Sequence, residues 1–221
     1  MKNQKNKTEN IFEEYEKALC EKGFSFVCGV DEVGRGPWAG PIMAAAIMVK
    51  SEKLKVKNLG IADSKKLTEK KREEIFDILV SGDDIVYSVA SISAKEIDKI
   101  GLGVANQLVL KKAVEGLKLK IKELDFVLVD GFEIKDISIS QEKVIKGDQK
   151  VFSIAIASII AKVTRDRYMI ELSKEFPQYG FEDHKGYGTK KHQMAIEEYG
   201  LCPEHRLSFE PIKKFNGQKQ K

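Results

Sequence analysis

Three cysteines in 221 residues, Cys20, Cys28 and Cys202, are too few and too scattered for a disulfide framework. They form no CxxC pair, so a thiolate zinc site is not suggested either. Histidine is equally scarce. His184, His192 and His205 lack the HExxH spacing and leave little material for histidine acid–base chemistry. No apolar run reaches the roughly 18 residues that a membrane span needs. The N-terminus, MKNQKNKTEN, lacks the apolar stretch of a secretory signal. There are no internal repeats. These absences predict a protein of a reducing cytoplasm, with no membrane partner and one substantial domain.

Charge of one sign is also modest, with a net charge of only +4. Its distribution says more than its sum. Lysines crowd residues 50–72 and 143–167, where acids are few and placed singly. Basic ground around an acidic centre is the layout that phosphodiester chemistry needs.

Along the chain, residues 1–9 read as a frayed tail and 11–22 as an amphipathic helix with Ile11, Phe12, Tyr15, Ala18 and Leu19 on one face. Strands are predicted from Phe24 to Val30, Ile42 to Val49, Asp84 to Ile92, Asp125 to Asp130 and about Glu142 to Lys146. Pro37 and Pro41 keep the first connection out of a helix. Helices are predicted over about 68–79, from a capping box at Ser93 and Glu96 to about Leu117, over 150–175, and near 190–199. Gly101 and Gly103 are expected to break the second of these. The pattern is that of an α/β or α+β domain with a mixed sheet. Residues 1–176 would form the main domain and 177–221 a small helical extension, with a tail after about 212.

The most telling string is CGVDEVGRGPWAGP, Cys28 to Pro41. It sets Asp31 and Glu32 at the end of an apolar run and follows them with Gly34-Arg35-Gly36. Carboxylates can hold a hard divalent cation, and glycines let a backbone approach a ligand closely. Asp130 ends a second apolar strand. If the two strands lie side by side, Asp31 and Asp130 meet, and two like charges that close call for a cation. Neighbouring strand residues point to opposite faces, so Glu32 joins Asp31 at one ion only if the strand is already ending. In SIIAKVTRDR, helical spacing puts Ser158, Lys162, Arg165 and Asp166 within an arc of about 100°. Weaker candidates are Asp63-Ser64-Lys65-Lys66, a phosphate grip or a helix cap, and Asp148 as a turn acid. Tyr187, between two glycines, is free to lie on a base or sugar.

Taken in order, the strings GVDEVGRGPWAGP, ADSKKL, VLVDG, SIAIASIIAKVTRDR, HKGYGT and HRLSF resemble the ribonuclease HII family, the type 2 ribonucleases H, from about residue 27 to 211. The similar type 3 enzymes usually have lysine where Arg35 stands and an extra N-terminal domain, for which the short tail leaves no room. The resemblance implies a ribonuclease H-like mixed sheet flanked by helices, with a helical C-terminal extension. It implies cleavage of RNA in RNA–DNA hybrids and on the 5′ side of ribonucleotides embedded in duplex DNA, leaving 5′-phosphate and 3′-hydroxyl ends. It carries over Asp31, Glu32, Asp130 and Asp166 as catalytic acids holding Mg²⁺ or Mn²⁺. Gly34, Arg35 and Gly36 carry over as readers of the ribose 2′-hydroxyl, and Tyr187 as the sensor of the ribo-to-deoxyribo junction. Lys65, Ser158 and Lys162 carry over as phosphate contacts. A monomer is expected. Trp38 departs from the family's more usual leucine, and GLGVANQLVLKKA matches only loosely, so Asn106 receives no role.

Two other readings remain open on the residues alone. One is a resolvase-like nuclease, which needs the acids but no 2′-hydroxyl reader. The other is a hybrid-binding module with a dead site, against which stands the filling of every acidic position.

Overall fold

The computed structural model describes residues 15–50, 61 and 67–215. The expected tail 1–9, the start of the first helix with Ile11 and Phe12, and Asp63-Ser64-Lys65-Lys66 lie outside the described residues. The chain forms two compact units. One takes the described residues of 1–32, 44–90 and 110–163, and the other those of 33–43, 91–109 and 164–221.

The first unit is organised on a five-stranded sheet. Helix α1 is described over 15–21. The strands are β1 (Val27–Val33), β2 (Ile42–Val49), β3 (Ile85–Ile92), β4 (Phe126–Asp130) and β5 (Ser140–Val144), in the order β3-β2-β1-β4-β5. Between them run α2 (Glu69–Ser81), α3 (Ala94–Ile100) and α4 (Leu102–Lys120). β1 and β4 are parallel neighbours, in register from Val27↔Phe126 to Val30↔Val129. β4 and β5 are parallel as well, ending at Asp130↔Val144. The two apolar acid-bearing strands therefore do lie side by side. Buried on both faces, they need the continuous apolar run that the sequence supplies: Cys28, Val30, Val127, Leu128 and Val129 are all fully buried. Each such large side chain contributes roughly 1.5–3 kcal/mol.

Helix α5 (Phe152–Glu175) packs its first turn on this sheet. Its start touches β1 so closely that a Cβ at Gly29 would stand 2.3 Å from the Ile154 amide nitrogen and 2.4 Å from the Ser153 carbonyl carbon. Only glycine lets the two backbones approach to this degree. Leu19, Phe126, Leu128, Val144, Val151 and Ile154 close the core on this side.

The second unit packs Met169, Leu172, Tyr179, Phe181, Ile196, Cys202 and Ile212 around one core, with Trp38 and Phe209 against it. It includes the short α6 (Phe181–His184), α7 (Lys190–Tyr199) and the short α8 (Glu210–Lys213). The capping box forms at α3 as expected, with the Ser93 side chain and Glu96 exchanging hydrogen bonds. The helical break falls at Gly101 alone, where φ is +80°, and Gly103 continues into α4.

Gly29→Ala should destabilise the protein by about 2 kcal/mol or more, because the new methyl meets backbone that cannot swing aside. Urea unfolding of the two proteins measures the difference.

Candidate active site

The acids sit differently from the sequence expectation in one respect. β1 does not end before Asp31 but runs on to Val33, so Asp31 and Glu32 are both strand residues. Strand alternation therefore puts Asp31 on the face of Gly29, toward α5, and Glu32 on the face of Val30. The reason is local: Gly34, directly after β1, takes a positive φ, +93°, and the turn begins there. From Gly29 to Asp31 the strand advances two residues. From Ser153 and Ile154, which touch Gly29, α5 advances about one turn to Ser158. The Ser158 side chain accordingly hydrogen-bonds the Asp31 carboxyl. Asp31 also accepts the Glu32 N–H at 2.8 Å. Across the parallel pair, Asp130 closes β4, one step past the Val30↔Val129 pairing. Its Oδ1 accepts the Gly147 N–H at 2.7 Å.

Asp31 is 7% exposed. Burial pushes its carboxyl up to about 8, and the negative charges of Glu32 and Asp130 add to the effect, against the pull of Ser158 and the Glu32 N–H. A buried carboxyl crowded by two more is a site that gains by taking up positive charge. Among the described residues no three His, Cys, Asp or Glu side chains converge closely enough to hold an ion by themselves. The donors are all hard oxygens, which fits Mg²⁺ or Mn²⁺: Mg²⁺ in particular uses one or two carboxylates and completes its shell with water and substrate phosphate.

Farther along α5, Ser158 and Lys162 are half-buried and Asp166 is buried. Helix spacing sets Lys162 one turn and Asp166 two turns beyond Ser158. Arg165, counted with them as a cation on the same arc, has a different task. It is fully buried in the second unit, and its guanidinium donates to the carbonyls of Pro41 (2.9 Å), Lys185 (3.0 Å) and Ala39 (3.2 Å).

The glycine loop belongs to the second unit. Gly34 is buried, while Arg35 and Gly36 are exposed. A Cβ on Gly34 would meet the Arg165 guanidinium Nε at 2.5 Å and the Pro41 carbonyl at 2.8 Å, so the fold itself demands glycine there. At Gly36 the only neighbour within 4 Å would be the Tyr187 ring, at an ordinary 3.6 Å. Nothing else among the described residues stands within reach of that position. Tyr187 is 43% exposed and lies beside the loop.

Beneath the loop lies Arg206, the functional residue that the sequence analysis missed. Its side chain is fully buried and donates to the carbonyls of Gly34 (2.6 Å), Arg35 (3.2 Å) and Gly40 (2.9 Å). In a trans peptide C=O and N–H point opposite ways. Holding the Gly34 and Arg35 carbonyls inward therefore turns the N–H groups of Arg35 and Gly36 away from the guanidinium. Burial, with Arg165 nearby, brings Arg206 down to about 9, low for an arginine and still charged at neutral pH. The signal in the sequence was faint: an arginine in HRLSF with no acid within the string.

A mixed five-stranded sheet with acids at the ends of neighbouring strands, flanked by helices, is the ribonuclease H-like fold. The crystal structure of the ribonuclease H2 from Pyrococcus horikoshii OT3 shares it with a TM-score of 0.70 and 30% identity, over 86% of this chain and 96% of that one. The structure of Bst-RNase HIII in complex with Mn²⁺ shares the fold with a TM-score of 0.67 at 21% identity, over 87% and 70%. The family model Ribonuclease HII matches residues 28–212, and the chain belongs to that family. The Ribonuclease HII of Caldicellulosiruptor bescii is 50% identical over 201 residues, 91% of this chain and 94% of the relative. The chain is thus a ribonuclease H, an endonuclease that cuts RNA in RNA–DNA hybrids and leaves 5′-phosphate ends. Among the described residues no helix is long and apolar enough to cross a membrane.

The raised Asp31 group carries a sign. A carboxyl favoured in its protonated form by the fold contributes stability at low pH that is lost as pH rises toward about 8. In metal-free buffer Asp31→Asn should therefore be more stable than wild type by at least about 1 kcal/mol at pH 8, with the gap shrinking toward pH 4. Thermal and urea unfolding across that range checks it.

Proposed function

We propose that the enzyme hydrolyses the phosphodiester on the 5′ side of a ribonucleotide, in hybrids and at single ribonucleotides embedded in duplex DNA, leaving 5′-phosphate and 3′-hydroxyl ends. The observation that carries this reading is Gly36. Among the described residues nothing stands close enough to forbid a side chain there, yet the residue is glycine and its neighbour's N–H and its own are turned outward by Arg206. A sugar hydroxyl that both donates and accepts is the ligand such a surface suits, and the 2′-hydroxyl is what marks RNA from DNA.

In this reading Asp31, Glu32, Asp130 and Asp166 hold two divalent cations, Mg²⁺ or Mn²⁺. Bound there, such ions supply an activated water and charge stabilisation for the leaving oxygen. The chain's own groups do the rest. Ser158 orients Asp31 through its hydrogen bond. Glu32 and Asp130 raise the negative potential at Asp31, which favours a cation as it favours a proton. Lys162, Lys65 and Ser158 meet phosphates. Arg35 and Gly36 present their N–H groups to the 2′-hydroxyl, and Gly34 lets the loop turn over Arg165 and Arg206. Tyr187 offers its exposed ring, beside Gly36, to the sugar on the far side of a ribo-to-deoxyribo junction. A site that pairs with a hydroxyl rejects the analogue without one strongly, because its own polar groups are left unpaired.

The decisive experiment is incubation with a DNA duplex carrying one ribonucleotide and with its all-DNA counterpart, with the products mapped. Cutting 5′ of the ribonucleotide alone is the expected result. Comparable cutting of both duplexes would overturn the reading in favour of a resolvase-like nuclease. Asp31→Asn and Asp130→Asn should abolish cleavage while retaining duplex binding in a gel shift. Gly36→Ala should stay within about 1 kcal/mol of wild-type stability, yet cut the single-ribonucleotide duplex at least about tenfold more slowly.

A further inference from the structure

The three histidines have no part in the chemistry above, yet all three are buried in the second unit, His192 hydrogen-bonded to His205 and His184 stacked on His192. The donors can be assigned link by link, since a carbonyl only accepts and a main-chain N–H only donates. His205 Nδ1 lies 3.0 Å from the Cys202 N–H and 3.3 Å from the Cys202 carbonyl, so the proton of this ring is placed by its other nitrogen, Nε2, which must donate to His192. His192 Nδ1 lies 3.0 Å from the Tyr187 carbonyl, so here Nδ1 carries the proton and Nε2 is bare. The two Nε2 atoms face each other at 3.1 Å, one with a proton and one without. A directed chain results: Cys202 N–H to His205, His205 to His192, His192 to the Tyr187 carbonyl. His184 follows the same logic, accepting from the Gly186 N–H at 3.2 Å and donating to the Tyr179 carbonyl at 2.8 Å.

Every ring is neutral in this scheme, and a proton added at His192 Nε2 or His184 Nδ1 would set two N–H groups head to head. Burial, with the other histidines adding, holds His192 and His205 near 4, so the neutral chain persists through neutral pH. The His192 ring cannot turn. His184 stacks on it at 4.4 Å, Phe181 meets it edge-on at 5.5 Å, and Trp38 lies 5.7 Å away. The far end of the chain is the main chain of Tyr187, whose ring lies against Gly36.

We propose that His192, backed by His205, is a positioning residue for Tyr187: it fixes the tyrosine's carbonyl, and so the ring's place beside the glycine loop, without touching substrate. The proposal rests on the reading of Tyr187 as the junction sensor. It makes junction preference depend on a buried imidazole five residues beyond the tyrosine in sequence.

The test is the ratio of cleavage rates at a ribo-to-deoxyribo junction and within an all-RNA tract, for wild type, Tyr187→Ala, His192→Phe, His192→Asn and the double variant Tyr187→Ala/His192→Phe. Phenylalanine keeps the ring and loses both nitrogens. Asparagine can return an N–H near the place of Nδ1. The expected result is a ratio lowered at least about threefold in His192→Phe, no lower in the double variant than in Tyr187→Ala, and restored in part by His192→Asn. An unchanged ratio in folded His192→Phe, or a further loss in the double variant, overturns the proposal alone. An unchanged ratio in Tyr187→Ala overturns the reading of Tyr187 beneath it. Should His192→Phe not fold, His192→Asn decides: a retained ratio supports the link to the tyrosine carbonyl, and a lost ratio overturns it. If neither folds, the histidine holds the fold and not the tyrosine, and the proposal falls.

Discussion

The contact of β1 with the first turn of α5 is the constraint on which the acidic half of the site depends. Two backbones meet at Gly29 with no room for a methyl group. That fixes the phase of strand against helix. With the phase fixed, the strand's two-residue period and the helix's pitch bring Asp31 and Ser158 to the same height, and they bond. A larger residue at 29 would lift the helix and separate the pair, with every side chain of the site intact. The neighbouring constraint is the parallel register of β1 and β4, which sets Asp130 across from Asp31. Neither depends on the acids. The acids are imposed on a frame that apolar packing holds together, and this is how a fold tolerates charges that repel one another.

The glycine loop is held by a different kind of force. Arg165 and Arg206 are fully buried, and the six hydrogen bonds described for them all go to main-chain carbonyls. Buried charge is expensive when a partner is missing. Here the dipoles of Pro41, Ala39, Lys185, Gly40, Arg35 and Gly34 supply the compensation, and the loop gains a defined shape in return. The planar fork of a guanidinium serves several carbonyls at once, which a lysine would not do. Two positive charges beneath a surface loop also raise the potential where a phosphate or sugar would approach.

Much of this was legible in the sequence, for definable reasons. Apolar runs ended by an acid announce β1 and β4, because a strand buried on both faces leaves no other pattern. Ser93 and Glu96 announce α3 because the capping box is a local interaction. The fold class follows from the alternation of elements. The end of β1 was misjudged because Asp31 and Glu32 look like a boundary, while the true stop is the positive φ of Gly34, three residues on. Arg165 looked like part of a polar helix face because its angular position is right; only the carbonyls waiting for it, from residues 39–41 and 185, reveal its direction. Arg206 and the histidine chain were invisible for the same cause. Arg206 and both ends of the histidine chain meet main-chain atoms, and main-chain atoms have no letter in a sequence.

That no ready-made cage of acids forms among the described residues has a physical sense. A ready-made cage would hold an ion tightly whether or not substrate was bound. Carboxylates that repel one another, one of them raised to about 8, bind a cation best when a phosphate supplies further oxygens. Under the function proposed above, cation and substrate would then assist each other's binding. On the proposed reading, a duplex whose sugar left Arg35 and Gly36 unpaired would sit poorly, bring its phosphate poorly, and leave the acids short of ligands. Discrimination between RNA and DNA would then appear in the assembly of the reactive centre as well as in binding, which is where rejection of a single missing oxygen gains the most.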